Sequence, residues 1–98
     1  MRFHHIGIVV PNIKNSLNDI KQFITFKETS IPTLIGSQKV NVCFLNMDNG
    51  FLELIEPIND DSPVSIFASK GGGIHHICFE VKDIHSTISE MKNKGARV

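Results

Sequence analysis

The chain has 98 residues, 41% of them hydrophobic and 20% charged, which is the balance of one small folded domain and excludes a disordered or low-complexity segment. Ten Lys and Arg offset ten Asp and Glu, so the formal charge is zero and no basic surplus exists to neutralise nucleic-acid phosphates or anionic lipid. The longest apolar stretch, Ile6–Val10, is far too short to span a bilayer, and no charged start precedes an apolar signal region. The expected location is the cytoplasm.

The first strand is expected over residues 3–10, closed by Pro11, which cannot donate to a ladder. Asn12 can cap a helix, and Ile13, Leu17, Ile20 and Ile24 recur with the spacing of an amphipathic stripe. A weak strand candidate, Lys27–Leu34, is broken by Pro32. In a better one, Lys39–Leu45, Val40, Val42 and Phe44 alternate against Lys39, Asn41 and Cys43. Asn46–Gly50 carries Asp-Asn-Gly and predicts a hairpin turn, with Phe51–Glu56 as the return strand. In the connector, Ser62 as cap and Pro63 at the first position predict a short helix over Val64–Ser69, ended by Gly71–Gly73.

The remainder of the chain repeats its beginning. Shifted by 71 positions, His4–Lys21 lies over His75–Lys92, HHIGIVVPNIKNSLNDIK against HHICFEVKDIHSTISEMK. The identical pairs are His4/His75, His5/His76, Ile6/Ile77, Val10/Val81, Ile13/Ile84 and Lys21/Lys92. Asp83 caps the second helix, Ile84, Ile88 and Met91 form its stripe, and Gly95 ends it. The organisation is one domain over 1–98: a first unit of 1–57, a connector of 58–73 and a second, partial unit of 74–98. The first unit reads β-α-β-β-β. At the same offset its counterpart would run to about residue 127, so the sequence contains the second unit only as far as its helix.

Strand side chains alternate between faces. His4, Ile6, Ile8 and Val10 are therefore expected beneath the first helix, and His75, Ile77, Phe79 and Val81 beneath the second. His5, Gly7 and Val9 face the other way, as do His76, Cys78 and Glu80. In the return strand Leu52 and Leu54 point inward, which aims Glu53 toward His5 and His76. Two imidazoles and a carboxylate on one face are a ligand set for a divalent cation such as cobalt, zinc, nickel or manganese. Gly7 removes bulk beside them. His4 and His75 read as structural residues, His85 as an exposed helix residue and Glu80 as a surface charge. Cys43 reads as a buried, reduced thiol, and Cys78 lies on the His76 face, where it could touch a ligand. No residue stands out as a general base.

These residues resemble the vicinal oxygen chelate (glyoxalase/bleomycin resistance/dioxygenase) superfamily, and within it the methylmalonyl-CoA epimerase family. The stretches that carry the resemblance are HHIGIVV, FLELIEPIND before DSPVSIF, and GGGIHHICFEVKDI, which together span nearly the whole chain. The resemblance implies an α+β fold of paired βαβββ modules, here with the second module truncated after its helix. By position the family's metal ligands fall on His5, Glu53 and His76. The family's fourth ligand, a Glu implicated in proton transfer, would fall near position 124, which this sequence does not contain. The implied activity is metal-dependent epimerisation of an acyl-CoA thioester by α-proton abstraction, in a homo-oligomer, a dimer by analogy. A glyoxalase-I-like lactoylglutathione lyase and a non-catalytic small-molecule-binding module are the alternatives.

Overall fold

The computed structural model describes all 98 residues. Its elements in order are β1 (Arg2–Val9), α1 (Ile13–Phe23), β2 (Thr33–Ile35), a 3-10 turn (Gly36–Gln38), β3 (Val40–Asn46), β4 (Phe51–Pro57), α2 (Ser65–Ser69), β5 (Gly73–Glu80) and α3 (Ile84–Asn93). The five strands form one sheet in the order β2-β3-β4-β1-β5. β1 runs parallel to β4 and antiparallel to β5, while β2, β3 and β4 form an antiparallel run. The mixed α+β architecture that the resemblance implies is the one observed. No helix is long and apolar enough to cross a membrane.

Both helices start where the caps predict. The Asn12 carboxamide oxygen accepts from the Asn15 N–H at 2.9 Å, and an Asp83 carboxylate oxygen accepts from the Ser86 N–H at 3.1 Å. Glu56 adds a second anchor for α1. One of its oxygens accepts from the Ile13 N–H at 2.7 Å, the other from the Asn41 side chain at 3.0 Å. This ties the first turn of α1, whose free N–H groups favour an anion, to the middle of the sheet.

The sheet carries apolar clusters on both faces. Val10, Ile13, Cys43, Leu45 and Leu54 are buried under α1, with Leu17, Ile20 and Leu52 packed against them. On the opposite face Val9, Val40, Val42 and Ile55 are buried with Val64 and Ala68 of the α2 segment. β3 is therefore buried on both sides, where the sequence suggested one apolar face. Cys43 is fully buried and its thiol donates to the Ser30 carbonyl at 3.3 Å. Burial pushes that thiol's pKa up, which keeps it protonated and unreactive.

Three expectations need correction. The span Lys27–Leu34 is not one strand: it makes an isolated bridge at Thr29, and β2 begins only after Pro32. The Ser30 hydroxyl accepts the Phe44 N–H at 2.8 Å, a bond a continuous ladder would give to backbone. Helix α2 starts at Ser65, because the Ser62 carbonyl accepts the Ser65 N–H and closes a turn. Finally, α3 does not bury the face of β5 as α1 buries β1. It has no buried residue, and Ile77, Phe79 and Ile84 stay 57%, 50% and 56% exposed.

Gly72 is the tightest point of the connector. Its φ of +74° is open to few other residues, and a Cβ there would lie 2.1 Å from the Val9 carbonyl oxygen. The glycine lets the chain turn from α2 into β5 directly against the end of β1.

Candidate metal centre

Three adjacent strands supply the site. His5 stands on β1, Glu53 on β4 and His76 on β5, and the register sets Glu53 and His76 on either side of Gly7. His5 Nε2 lies 3.4 Å from Glu53 Oε1, His76 Nε2 lies 3.2 Å from the same oxygen, and the two Nε2 atoms are 3.1 Å apart. The structure thus brings together the three residues singled out by alternation.

The size of this triangle can be tested against a cation. Ligand atoms about 2.1 Å from one ion stand about 3.0 Å apart at octahedral angles and about 3.4 Å apart at tetrahedral ones. The three observed separations fall within that interval. The donor types suit a borderline first-row cation. Side chains of His5 and Glu53 are only 13% and 14% exposed, so the carboxylate is shielded from water and sits between two imidazoles. Burial holds the His5 pKa below the ordinary imidazole value. The Glu53 carboxylate opposes that shift, and the neighbouring His76 and His4 rings reinforce it. A neutral imidazole is the form that can ligate.

Gly7 has a more specific role than leaving space. A Cβ at position 7 would lie 2.2 Å from Cε1 of the His76 ring. The ring lies flat across the bare backbone of β1, which lets its Nε2 reach His5 and Glu53.

The centre lies at one end of an open cavity of about 300 Å³ on the sheet face away from α1. Val40, Val42 and Ile55 form its floor, and Pro63 and Val64 of the α2 segment form a wall. Sequence reasoning missed that wall. The signal was present in the apolar pair Val64 and Ala68, but a helix of five residues gives too little periodicity to assign a face.

The remaining candidates lie outside the triangle. His85 is exposed on α3. Glu80 pairs with Arg2 at 2.5 Å at the exposed end of β1 and β5, which makes it a surface charge. Cys78 is half-buried, and its sulfur lies with His4 and His5 nitrogens in a second cluster of possible ligand atoms. His4 does not lie beneath α1 as strict alternation requires. Its ring packs on Phe51, 5.3 Å between centroids, and its Nδ1 lies 2.7 Å from Nδ1 of His5. His75 likewise pairs with His76, Nδ1 to Nδ1 at 3.0 Å. Each outer histidine occupies a break in the β1–β5 register, where two residues on one strand oppose one on the other and alternation fails.

The profile of the glyoxalase/bleomycin resistance protein/dioxygenase superfamily matches residues 4–98. The chain belongs to that superfamily. It is 34% identical over 99 aligned positions to an ethylmalonyl-CoA/methylmalonyl-CoA epimerase of Cereibacter sphaeroides, covering 99% of this chain and 73% of that protein. Against the mitochondrial methylmalonyl-CoA epimerase of Bos taurus the identity is 31%, covering 99% of this chain and 56% of the relative. The chain thus spans little more than half the length of several relatives it matches. Among solved structures, a hypothetical protein of Bacillus halodurans superposes with a TM-score of 0.87 at 37% identity, covering 96% of this chain and 68% of that one. A Streptomyces coelicolor methylmalonyl-CoA epimerase in complex with 2-nitronate-propionyl-CoA superposes with a TM-score of 0.79 at 29% identity, covering 99% and 74%.

Proposed function

We propose that the protein epimerises an acyl-CoA thioester, methylmalonyl-CoA or a close homologue, with a divalent cation held by His5, Glu53 and His76. The observation that carries this reading is the triangle of donor atoms from three neighbouring strands, sized for one ion and opening into an apolar cavity. Relatives named as epimerases of methylmalonyl-CoA supply the substrate class.

The bound cation would supply a Lewis acid for the negative charge that develops on the thioester oxygen when the α-proton leaves. The chain's own residues do the rest. Val40, Val42 and Ile55 line the approach with apolar surface, against which an acyl group can pack. Glu53 is the sole carboxylate among the residues lining the cavity, and it is committed to the cation. The α-proton is therefore carried by a water or by a carboxylate other than Glu53. The same reading makes the protein a homodimer. Its support is the exposed apolar surface of Ile74, Ile77 and Phe79 on β5, the edge strand.

Metal analysis of the purified protein, together with solvent deuterium uptake into methylmalonyl-CoA, tests the proposal. We expect about one cation per site, deuterium at the α-carbon only when the cation is present, and loss of both in His5→Ala. Uptake that survives complete chelation, or no uptake by the metal-loaded full-length protein, overturns the epimerase reading. Turnover of a glutathione hemithioacetal in place of the CoA thioester would reassign the chemistry to a glyoxalase-I-like lyase.

A further inference from the structure

We infer that His4 and His75 are positioning residues that select the metal-binding tautomer of His5 and His76. The inference rests on the proposed metal centre and extends it to residues outside the ligand triangle.

The two outer histidines are repeat partners, 71 positions apart, and the fold treats them alike. In β1 the register passes from Phe3 to His5 with His4 left over, and in β5 from Ile74 to His76 with His75 left over. An extra residue in one strand of an antiparallel pair turns its side chain away from the alternating position. Here both turns have the same result: the outer ring comes to the inner one, Nδ1 to Nδ1, at 2.7 Å for His4 and His5 and 3.0 Å for His75 and His76. A phenylalanine backs each outer ring. Phe51 lies 5.3 Å from His4 and Phe67 lies 5.6 Å from His75, centroid to centroid. Two independent breaks in one ladder, each delivering a ring nitrogen to the rear of a candidate ligand, form a duplicated arrangement.

Counting protons gives the chemistry. A neutral imidazole carries one N–H, on Nδ1 or on Nε2. If an inner histidine donates Nδ1–H to its outer partner, its Nε2 keeps a lone pair facing the triangle. If the outer ring donates instead, the inner Nε2 must carry the proton and cannot ligate. Since both inner Nε2 atoms face Glu53 Oε1 and each other, both lone pairs are needed there at once. An acceptor behind each inner ring holds it in that form, and such partners of metal-bound histidines also fix ring orientation.

The test compares His4→Phe and His75→Phe, which keep a flat ring and remove the acceptor, with His4→Asn and His75→Asn, which restore one. Co²⁺ affinity and the visible absorption of bound Co²⁺ are measured on the full chain, alongside the melting temperature of the metal-free protein. Each Phe variant should bind Co²⁺ about 10–100-fold more weakly, the effect typical of losing such a partner. Its absorption should change while the metal-free melting temperature stays near the parent's, and each Asn variant should recover most of the affinity. Should a Phe variant fail to fold, ring ¹⁵N NMR of the parent serves instead: with Zn²⁺ bound, His5 and His76 should both be protonated at Nδ1. Parental Co²⁺ affinity in the Phe variants overturns the positioning role and leaves the ligand assignment standing, whereas protonation at Nε2 with Zn²⁺ bound overturns the positioning role and ligation through Nε2 together. A parent that binds neither cation sinks both.

Discussion

The two copies of the repeat open with the same strand–helix pattern yet end in different environments. Helix α1 buries Ile13 and covers Cys43, Leu45 and Leu54, and Glu56 pins its first turn to the sheet. Helix α3 has an equivalent cap and a similar stripe but no fully buried residue: Ile88 is half-buried, and Met91 at its centre line stays 41% exposed. The strands beneath make the difference. β1 lies between β4 and β5, so α1 rests on a floor several strands wide, whereas β5 has β1 on one side only. An amphipathic stripe states what a helix can bury; the number of neighbouring strands decides what it does bury.

Substitutions should expose this asymmetry. Leu54→Ala, at a fully buried position under α1, should cost about 2–5 kcal/mol in urea unfolding, whereas Ile84→Ala on α3 should stay within about 0.5 kcal/mol as a surface change does. Equal losses would break the comparison. Cap removal gives a smaller version of the same contrast. Asn12→Ala and Asp83→Ala each remove one side-chain bond worth about 1 kcal/mol to a helix. The first should lower the global unfolding midpoint. The second should appear mainly as faster amide exchange in α3, because a helix that buries little can fray alone.

The smallest effect concerns pH and belongs to the first copy, since His5 is the histidine that burial shifts. Its folded pKa lies below the unfolded one of about 6.5. Between those two values the unfolded chain binds more protons, so stability falls as pH drops through that window, then levels off once the folded imidazole is also protonated. Stability above the unfolded pKa is unaffected by this group. His5→Gln should remove that part of the slope in urea midpoints taken from pH 8 to pH 5, and an unchanged slope would assign it elsewhere.

Much of this was legible in the sequence because it is local or periodic. The caps at Asn12 and Asp83, the Asp-Asn-Gly hairpin and the stripe of α1 each depend on a few neighbouring residues. The repeat then added the long-range fact that His5 and His76 occupy equivalent places, and alternation added Glu53. Alternation failed at His4 and His75, because a break in register arises from how two strands fit and leaves no mark in either strand alone. It also said too little about β3, whose Val40 and Val42 face the cavity while Cys43 and Leu45 face α1. Both faces are apolar there, so polarity could not identify the one that holds the site. Glu56 was hidden for a similar reason: its role depends on a helix start 43 residues away.

The three candidate ligands sit on strands that are directly hydrogen-bonded to one another, β4 to β1 to β5. Their separations are thus governed by the lattice of the sheet, without a hinge or mobile loop between them. An arriving ion would meet a chelate already gathered to size, and little of its binding energy would go into assembling the grip. That geometry also limits tolerance: a methyl group at position 7 would overlap the His76 ring and displace that imidazole from the ring of donors.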